Sequence, residues 1–240
     1  VSGCTALQKL DCRFNFITEL DVQGLNALQE LYCNSNTLTA LDVHGLTKLE
    51  KLNCKTNRLT ALDVSGCTAL KELICNDNKI PKLNVQGLTK LQQLKCGGNQ
   101  LKTLDVQGLT ELQQLYCQNN QLPALDVQDL ATLQKLDCSD NQLKTLNVQG
   151  CTALKELICY QNKLNADVFT KLLNDLPARE VSDGAEAILY AQPGVYNPQV
   201  EDGNCKNFTT PESLKKAFEG AKAKHWKLQK AGHFGFGIDI

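Results

Sequence analysis

The chain has no methionine, a single tryptophan and only 5% aromatic residues among its 240 positions. It has no C-x-x-C pair either, and clustered ligands of that kind are what zinc and iron-sulfur sites require. Nor does any apolar run approach the roughly 18 residues needed to span a bilayer, and no charged, apolar and cleavage-site sequence opens the chain. Membrane insertion is therefore not expected. Charge of one sign is missing too. Lys and Arg number 25 against 26 Asp and Glu, so the basic footprint of a nucleic-acid partner is absent. Serine-centred nucleophile motifs and glycine-rich phosphate loops do not occur. The three histidines, His44, His225 and His233, are scattered. Cys205 and His225 lack a third, orienting group, so no enzyme is expected and no cofactor is implied. The lack of any methionine, initiator included, leads us to expect a processed product or part of a longer protein. Hydrophobic residues at 42% and charged residues at 21% mark a globular chain, long enough for one large domain or two small ones.

What the sequence does have is a ruler. Cys12, Cys33, Cys54, Cys75, Cys96, Cys117, Cys138 and Cys159 follow one another at intervals of 21 residues. Leucine columns run in register from Leu7 to Leu154, Leu10 to Leu157 and Leu20 to Leu146. An asparagine column runs through Asn15, Asn36, Asn57, Asn78, Asn99, Asn120, Asn141 and Asn162. The unit L-x-x-L-x-C-x-x-N-x-L has the form of a leucine-rich repeat. One unit cannot bury its leucine face alone, so stacking must build a continuous core with one short strand per turn. The predicted fold class is α/β: a parallel-strand solenoid of eight repeats over 1–164, then a small α+β capping module over 165–240. Val1 stands in the column of Val22 and Val43, so the chain is expected to begin in the middle of a repeat.

Each column has a physical reading. The asparagines are expected to bond backbone groups that the short strands leave unpaired. Asp21, Asp42, Asp63, Asn84, Asp105, Asp126 and Asn147 are expected to cap a tight turn before V-x-G, rather than to hold a calcium ladder. Cysteines on adjacent strands about 4.8 Å apart point in parallel, whereas a disulfide wants Cβ atoms about 3.8 Å apart and leaning together. The column is therefore expected to consist of reduced thiols, acting as small buried hydrophobes.

After Leu164 the period fails. Val168, Phe169, Leu172, Leu173 and Leu176 share a helical face over the last rung. A strand over 187–191 follows, then turns at Pro193-Gly194 and Asn197-Pro198. Thr210-Pro211-Glu212 starts a second helix, with Leu214, Ala217, Phe218 and Ala221 inward, and Trp226 and Leu228 belong to a closing strand. Lys215, Lys216, Lys222, Lys224, Lys227 and Lys230 read as a solvated face. The segment Gly232 to Gly237 is expected to lead toward a further domain.

Cysteine in the strand of a 21-residue repeat resembles the internalin J-like family of cysteine-ladder surface proteins, which includes proteins of oral Bacteroidetes such as Porphyromonas. The resemblance covers about two-thirds of the chain. It implies a secreted or cell-surface bacterial protein, with a protein or glycan partner, in adhesion, biofilm formation or virulence. The helical N-terminal cap of internalins is not present, and the segment after the repeats differs, so no receptor carries over.

The outward strand positions carry the candidate site. Three residues before each Cys stand Lys9, Glu30, Lys51, Glu72, Gln93, Gln114, Lys135 and Glu156, a column in which charges are expected to satisfy one another. Just before each Cys stand Asp11, Tyr32, Asn53, Ile74, Lys95, Tyr116, Asp137 and Ile158. A rigid spacer, the alternative to a binding module, has no need of Tyr32, Ile74, Tyr116 and Ile158 there. Gln93, Gln113, Gln114, Gln118 and Asn119 surround Tyr116 and Lys95, and Gly97-Gly98 removes side chains beside them. This predicts an uncharged, amide-rich shelf on the concave face whose affinity depends little on salt, in a protein favoured to be a monomer.

Overall fold

A computed structural model describes residues 1, 3–191, 202–232 and 237–240. The turns expected at Pro193-Gly194 and Asn197-Pro198, and His233, lie outside the described residues. The chain forms two compact units, Val1–Gln121 and Leu122–Ile240.

In the first unit each repeat gives one three-residue strand: β1 (Lys9–Asp11), β2 (Glu30–Tyr32), β3 (Lys51–Asn53), β4 (Glu72–Ile74), β5 (Gln93–Lys95) and β6 (Gln114–Tyr116). All five pairings are parallel and in register at 21 residues, so Leu10 faces Leu31 and Leu94 faces Leu115. The strands are short because only x-L-x alternates with period two. The central Leu goes inward and its neighbours stay half-exposed, as the burial of β2 to β6 shows. The following Cys turns inward again, and from Cys33 to Cys117 this column is fully buried.

The asparagines close each turn as expected. Asn57 Nδ2 donates to the carbonyls of Cys33 and Cys54, both at 3.0 Å, while its Oδ1 accepts from Leu38 N at 3.0 Å. Asn78 and Asn120 repeat this arrangement on their own rungs. Each amide thus satisfies three backbone groups that a three-residue strand cannot, at a net value of about 1 kcal/mol per bond. The capping column also behaves as expected. Asp21, Asp42, Asp63, Asn84 and Asp105 each accept from the N–H two residues on, and Asp126 and Asn147 do the same in the second unit.

The second unit holds β7 (Ala124–Asp126), β8 (Lys135–Asp137), β9 (Thr145–Asn147), β10 (Glu156–Ile158), α1 (Ala166–Asp175), β11 (Glu186–Ala191), α2 (Glu212–Ala223), β12 (Lys227–Ala231) and β13 (Gly237–Asp239). Strands β8, β10, β11 and β12 pair in parallel, β13 adds antiparallel to β12, and β7 pairs separately with β9. Strand β11 therefore continues the repeat sheet in register, Leu157 facing Ala187. Leu189 takes the place of the ladder cysteine and is fully buried. Helix α1 is capped by Asn165, whose Oδ1 accepts from Val168 N at 3.0 Å, and it buries Phe169, Leu172 and Leu173. Helix α2 begins where expected, but Pro211 rather than Thr210 holds the N-cap place, with no side-chain capping bond. The Thr210 hydroxyl instead accepts from Asn207 Nδ2. Trp226 is buried and donates from Nε1 to the Pro177 carbonyl at 2.8 Å. The end of the glycine-spaced segment, expected to lead away, pairs with β12 as β13.

Candidate functional site

The twelve cysteines are all described, and all are thiols outside any disulfide. Burial pushes the thiols of Cys33 and Cys75 up to about 12 and that of Cys67 up to about 11. The same cause raises Cys54 and Cys96, with further repulsion from neighbouring rungs of the ladder. Such thiols stay protonated and unreactive. Cys205, outside the ladder, is half-buried and directs its Sγ to the Asn207 carbonyl. The cysteine and asparagine columns are structural.

The outward column three residues before each Cys resolves into pairs. Lys9 meets Glu30 at 2.8 Å and Lys51 meets Glu72 at 3.3 Å. Gln93 Nε2 donates to Gln114 Oε1 at 2.7 Å, and Lys135 meets Glu156 at 2.6 Å. The charged side chains satisfy one another, while the Gln93–Gln114 bond engages one donor of Gln93 and the oxygen of Gln114.

The column just before each Cys leaves more open. Tyr32 is flanked by Lys9 and Arg13, 5.1 and 5.3 Å from its ring centre. Arg13 is itself held by Asp11, with Nε at 2.8 Å and Nη2 at 2.7 Å. Lys95 Nζ stands 5.2 Å from the ring centre of Tyr116. Beside it lies a hollow of about 420 Å³, lined by Asn53, Lys55, Ile74, Asn76, Lys95, Gly97, Tyr116 and Gln118. Of the predicted site residues the structure gathers Ile74, Lys95, Tyr116 and Gln118 there. Tyr32, Gln93, Gln114 and Asn119 do not line it. Asn119 is exposed at a left-handed turn, φ 54°, in the same register as Ser35, Thr56 and Asp77. Ile158 belongs to the second unit, half-exposed at the end of β10.

Lys55 and Asn76 are the lining residues that sequence reasoning missed. The signal was there: the position after each Cys in this unit reads Arg13, Asn34, Lys55, Asn76, Gly97, Gln118, and it turns outward next to the strand. Lys55 also corrects the picture of an uncharged shelf, since two ammonium groups line the hollow. The glycine gap is likewise used by the protein itself. A Cβ on Gly97 would stand 2.7 Å from Gln118 Oε1, so the missing side chain gives Gln118 its place.

His44 is not as isolated as its sequence position implies. Its Nδ1 lies 2.8 Å from Ser65 Oγ, one rung away, and that hydroxyl donates to Asp63 Oδ1 at 2.6 Å. The serine proton faces the carboxylate rather than the imidazole, which is not the order that activates a nucleophile.

No protein-family model matches the sequence, and no match is found among curated proteins. Solved structures do match. The functional domain of internalin J from Listeria monocytogenes, which includes a cysteine ladder, is 35% identical with a TM-score of 0.67, over 82% of this chain and 43% of that one. Internalin C2 from the same species is 26% identical, with a TM-score of 0.58, over 65% of this chain and 73% of that one. YopM, a leucine-rich effector protein of Yersinia pestis, is 25% identical with a TM-score of 0.62, over 78% of this chain and 49% of that one. The chain spans less than half of the internalin J structure. The 21-residue register, the buried cysteine column and these likenesses lead to one conclusion: the chain is a leucine-rich-repeat protein of the cysteine-ladder type found in internalin J.

Proposed function

We propose that the chain is a binding module of a secreted or cell-surface bacterial protein, and that it recognises a protein or glycan through the outward face of the first unit's strands. Residues 1–164 supply the repeats in this reading, and 165–240 form the module that ends them. The observation that carries it is the hollow beside Tyr116. Ile74 and Tyr116 stay half-exposed on a face whose neighbouring charged column is self-paired. Tyrosine suits such a place because it offers a large contact area at little rotamer cost. The likeness to internalin J supports a role in surface contact, and among the described residues no helix is long and apolar enough to cross a membrane.

The test is a glycan and mucin array with the purified chain, beside a bacterial co-aggregation assay. Truncating Tyr116 to Ala is expected to weaken binding by roughly 1–2 kcal/mol without loss of stability, while Lys227→Ala in the second unit changes nothing. Binding that survives both Tyr116→Ala and Tyr32→Ala makes the repeats a rigid spacer, with recognition elsewhere.

A further inference from the structure

The hollow beside Tyr116 has a chemistry more particular than that of an open sheet. Its floor is Ile74 and the Tyr116 ring, and its two charged lining groups are both lysines. Lys95 makes no ion pair among the described residues and is steered by the ring at 5.2 Å. Lys55 is held only loosely, with Asp77 at 3.8 Å beyond the rim.

The amides of the lining keep their oxygens from a ligand, and Asn76 Nδ2 is given to Asp77 Oδ2 at 3.1 Å. Gln118 Oε1 and Asn76 Oδ1 are both shut off from solvent without a hydrogen-bond donor, the first against Gly97. Asn53 Oδ1 is occupied by the Lys55 N–H at 3.2 Å. With its oxygen inward, Gln118 leaves its amide N–H₂ as the open end. The hollow therefore offers donors and positive charge over an apolar floor. It offers few acceptors to a ligand rich in hydroxyl groups, each of which must donate as well as accept.

We propose that this hollow takes an acidic peptide segment: a carboxylate between Lys55 and Lys95, with an apolar side chain of the same segment against Ile74 and Tyr116. The proposal rests on the strand-face reading above and narrows it to one class of partner. In an extended peptide, side chains two residues apart share a face and stand about 7 Å apart, so glutamate and leucine separated by one residue fit the lysines and the floor together. The positive lining also reverses the salt expectation, because a carboxylate seated on two ammonium groups is screened by added ions.

The test uses the full chain and three labelled probes in fluorescence polarisation: a peptide with Glu and Leu two residues apart and Thr between them, the same peptide with Gln for Glu, and a sialylated oligosaccharide. The Glu peptide is expected to bind, its Gln counterpart about tenfold or more weakly, and the oligosaccharide more weakly still. Lys95→Gln and Lys55→Gln are each expected to weaken the Glu peptide several-fold and to flatten its salt dependence, with an unchanged urea midpoint. No binding of the Glu peptide, equal binding of the Gln peptide, or preference for the oligosaccharide overturns the proposal. Failure here is separable from failure of the broader reading. If Tyr116→Ala abolishes binding on the glycan and mucin array while the Glu peptide is ignored, the strand face stands and the acidic peptide falls. If Tyr116→Ala changes binding of no ligand, both fall.

Discussion

Asn204 Nδ2 donates to the carbonyl of Cys159 at 2.8 Å across 45 residues of sequence. The same amide donates to the Leu189 carbonyl at 2.8 Å, and its Oδ1 accepts from Leu164 N at 2.9 Å. Asn162 does the same one rung earlier, with Cys138, Cys159 and Leu143 as partners. Asn204 is thus the ninth amide of the ladder, supplied from the capping segment. Asp202 assists it: the carboxylate is buried and accepts from Gln161 N and Asn204 N, both at 2.9 Å.

Asn204→Ala is expected to destabilise the protein by roughly 1–3 kcal/mol, because Leu164 N–H is left buried without an acceptor. Asn120→Ala in the first unit is the matching control and should cost a similar amount. Urea titrations of both variants check this, and an unchanged midpoint for Asn204→Ala means that the ladder ends at Asn162.

The cysteine ladder makes stability fall at alkaline pH. The buried thiols of Cys33 and Cys75 are raised from 9.0 to about 12, so the unfolded chain releases their protons first. Their stabilisation is whole below pH 9 and is lost as pH rises toward about 12, at about 1.4 kcal/mol per pH unit for each thiol. Removing one titrating group in Cys75→Ala should reduce the slope of unfolding free energy against pH by about one proton. Equal slopes in the two proteins would show that the column is already ionised or wet in the folded state.

Alkylation reads the same burial chemically. Under native conditions at pH 8, iodoacetamide should modify only Cys4, Cys12 and Cys205, the three cysteines that are not buried. After denaturation without reductant, intact mass should show twelve adducts. Any cysteine pair that escapes reveals a disulfide.

Asp137 behaves in the opposite way to a surface carboxylate. Burial raises its carboxyl above the usual value, with Glu156 and Asp140 adding repulsion, although Ser139 donates to it from N at 3.1 Å and from Oγ at 2.7 Å. A raised carboxyl favours the folded state below its ordinary value of 3.8 and loses that advantage as pH rises. Asp137→Asn keeps an oxygen for Ser139 and removes the half-buried charge. The variant should be more stable than the parent at pH 7 and no more stable at pH 3, as thermal melts at the two values would show.

The sequence by itself determined the repeat, its 21-residue register and the inward columns of leucine, cysteine and asparagine. A stack with a fixed period repeats each side chain's surroundings, so one physical account of Asn57 serves for Asn78 and Asn120 as well. The turn-capping role of Asp42 was legible for the same reason, since its partner lies two residues away. Only the tertiary structure decided what depends on neighbours across rungs. The outward charges could have paired upward or downward, and the structure joins Lys51 to Glu72 at 3.3 Å. Lys55 and Gln118 come together around Gly97 only when four rungs stack, because nothing in a single repeat relates them. Asn204 was hidden for a sharper reason: its amide follows Asn162 by 42 residues, two full periods, but Asp183 stands at the place between them and β11 follows β10 by 30 residues rather than 21, so the leucine and cysteine columns that revealed every other rung stop before it. The hydrogen bonds it makes at the last turn mark it as a member of the ladder.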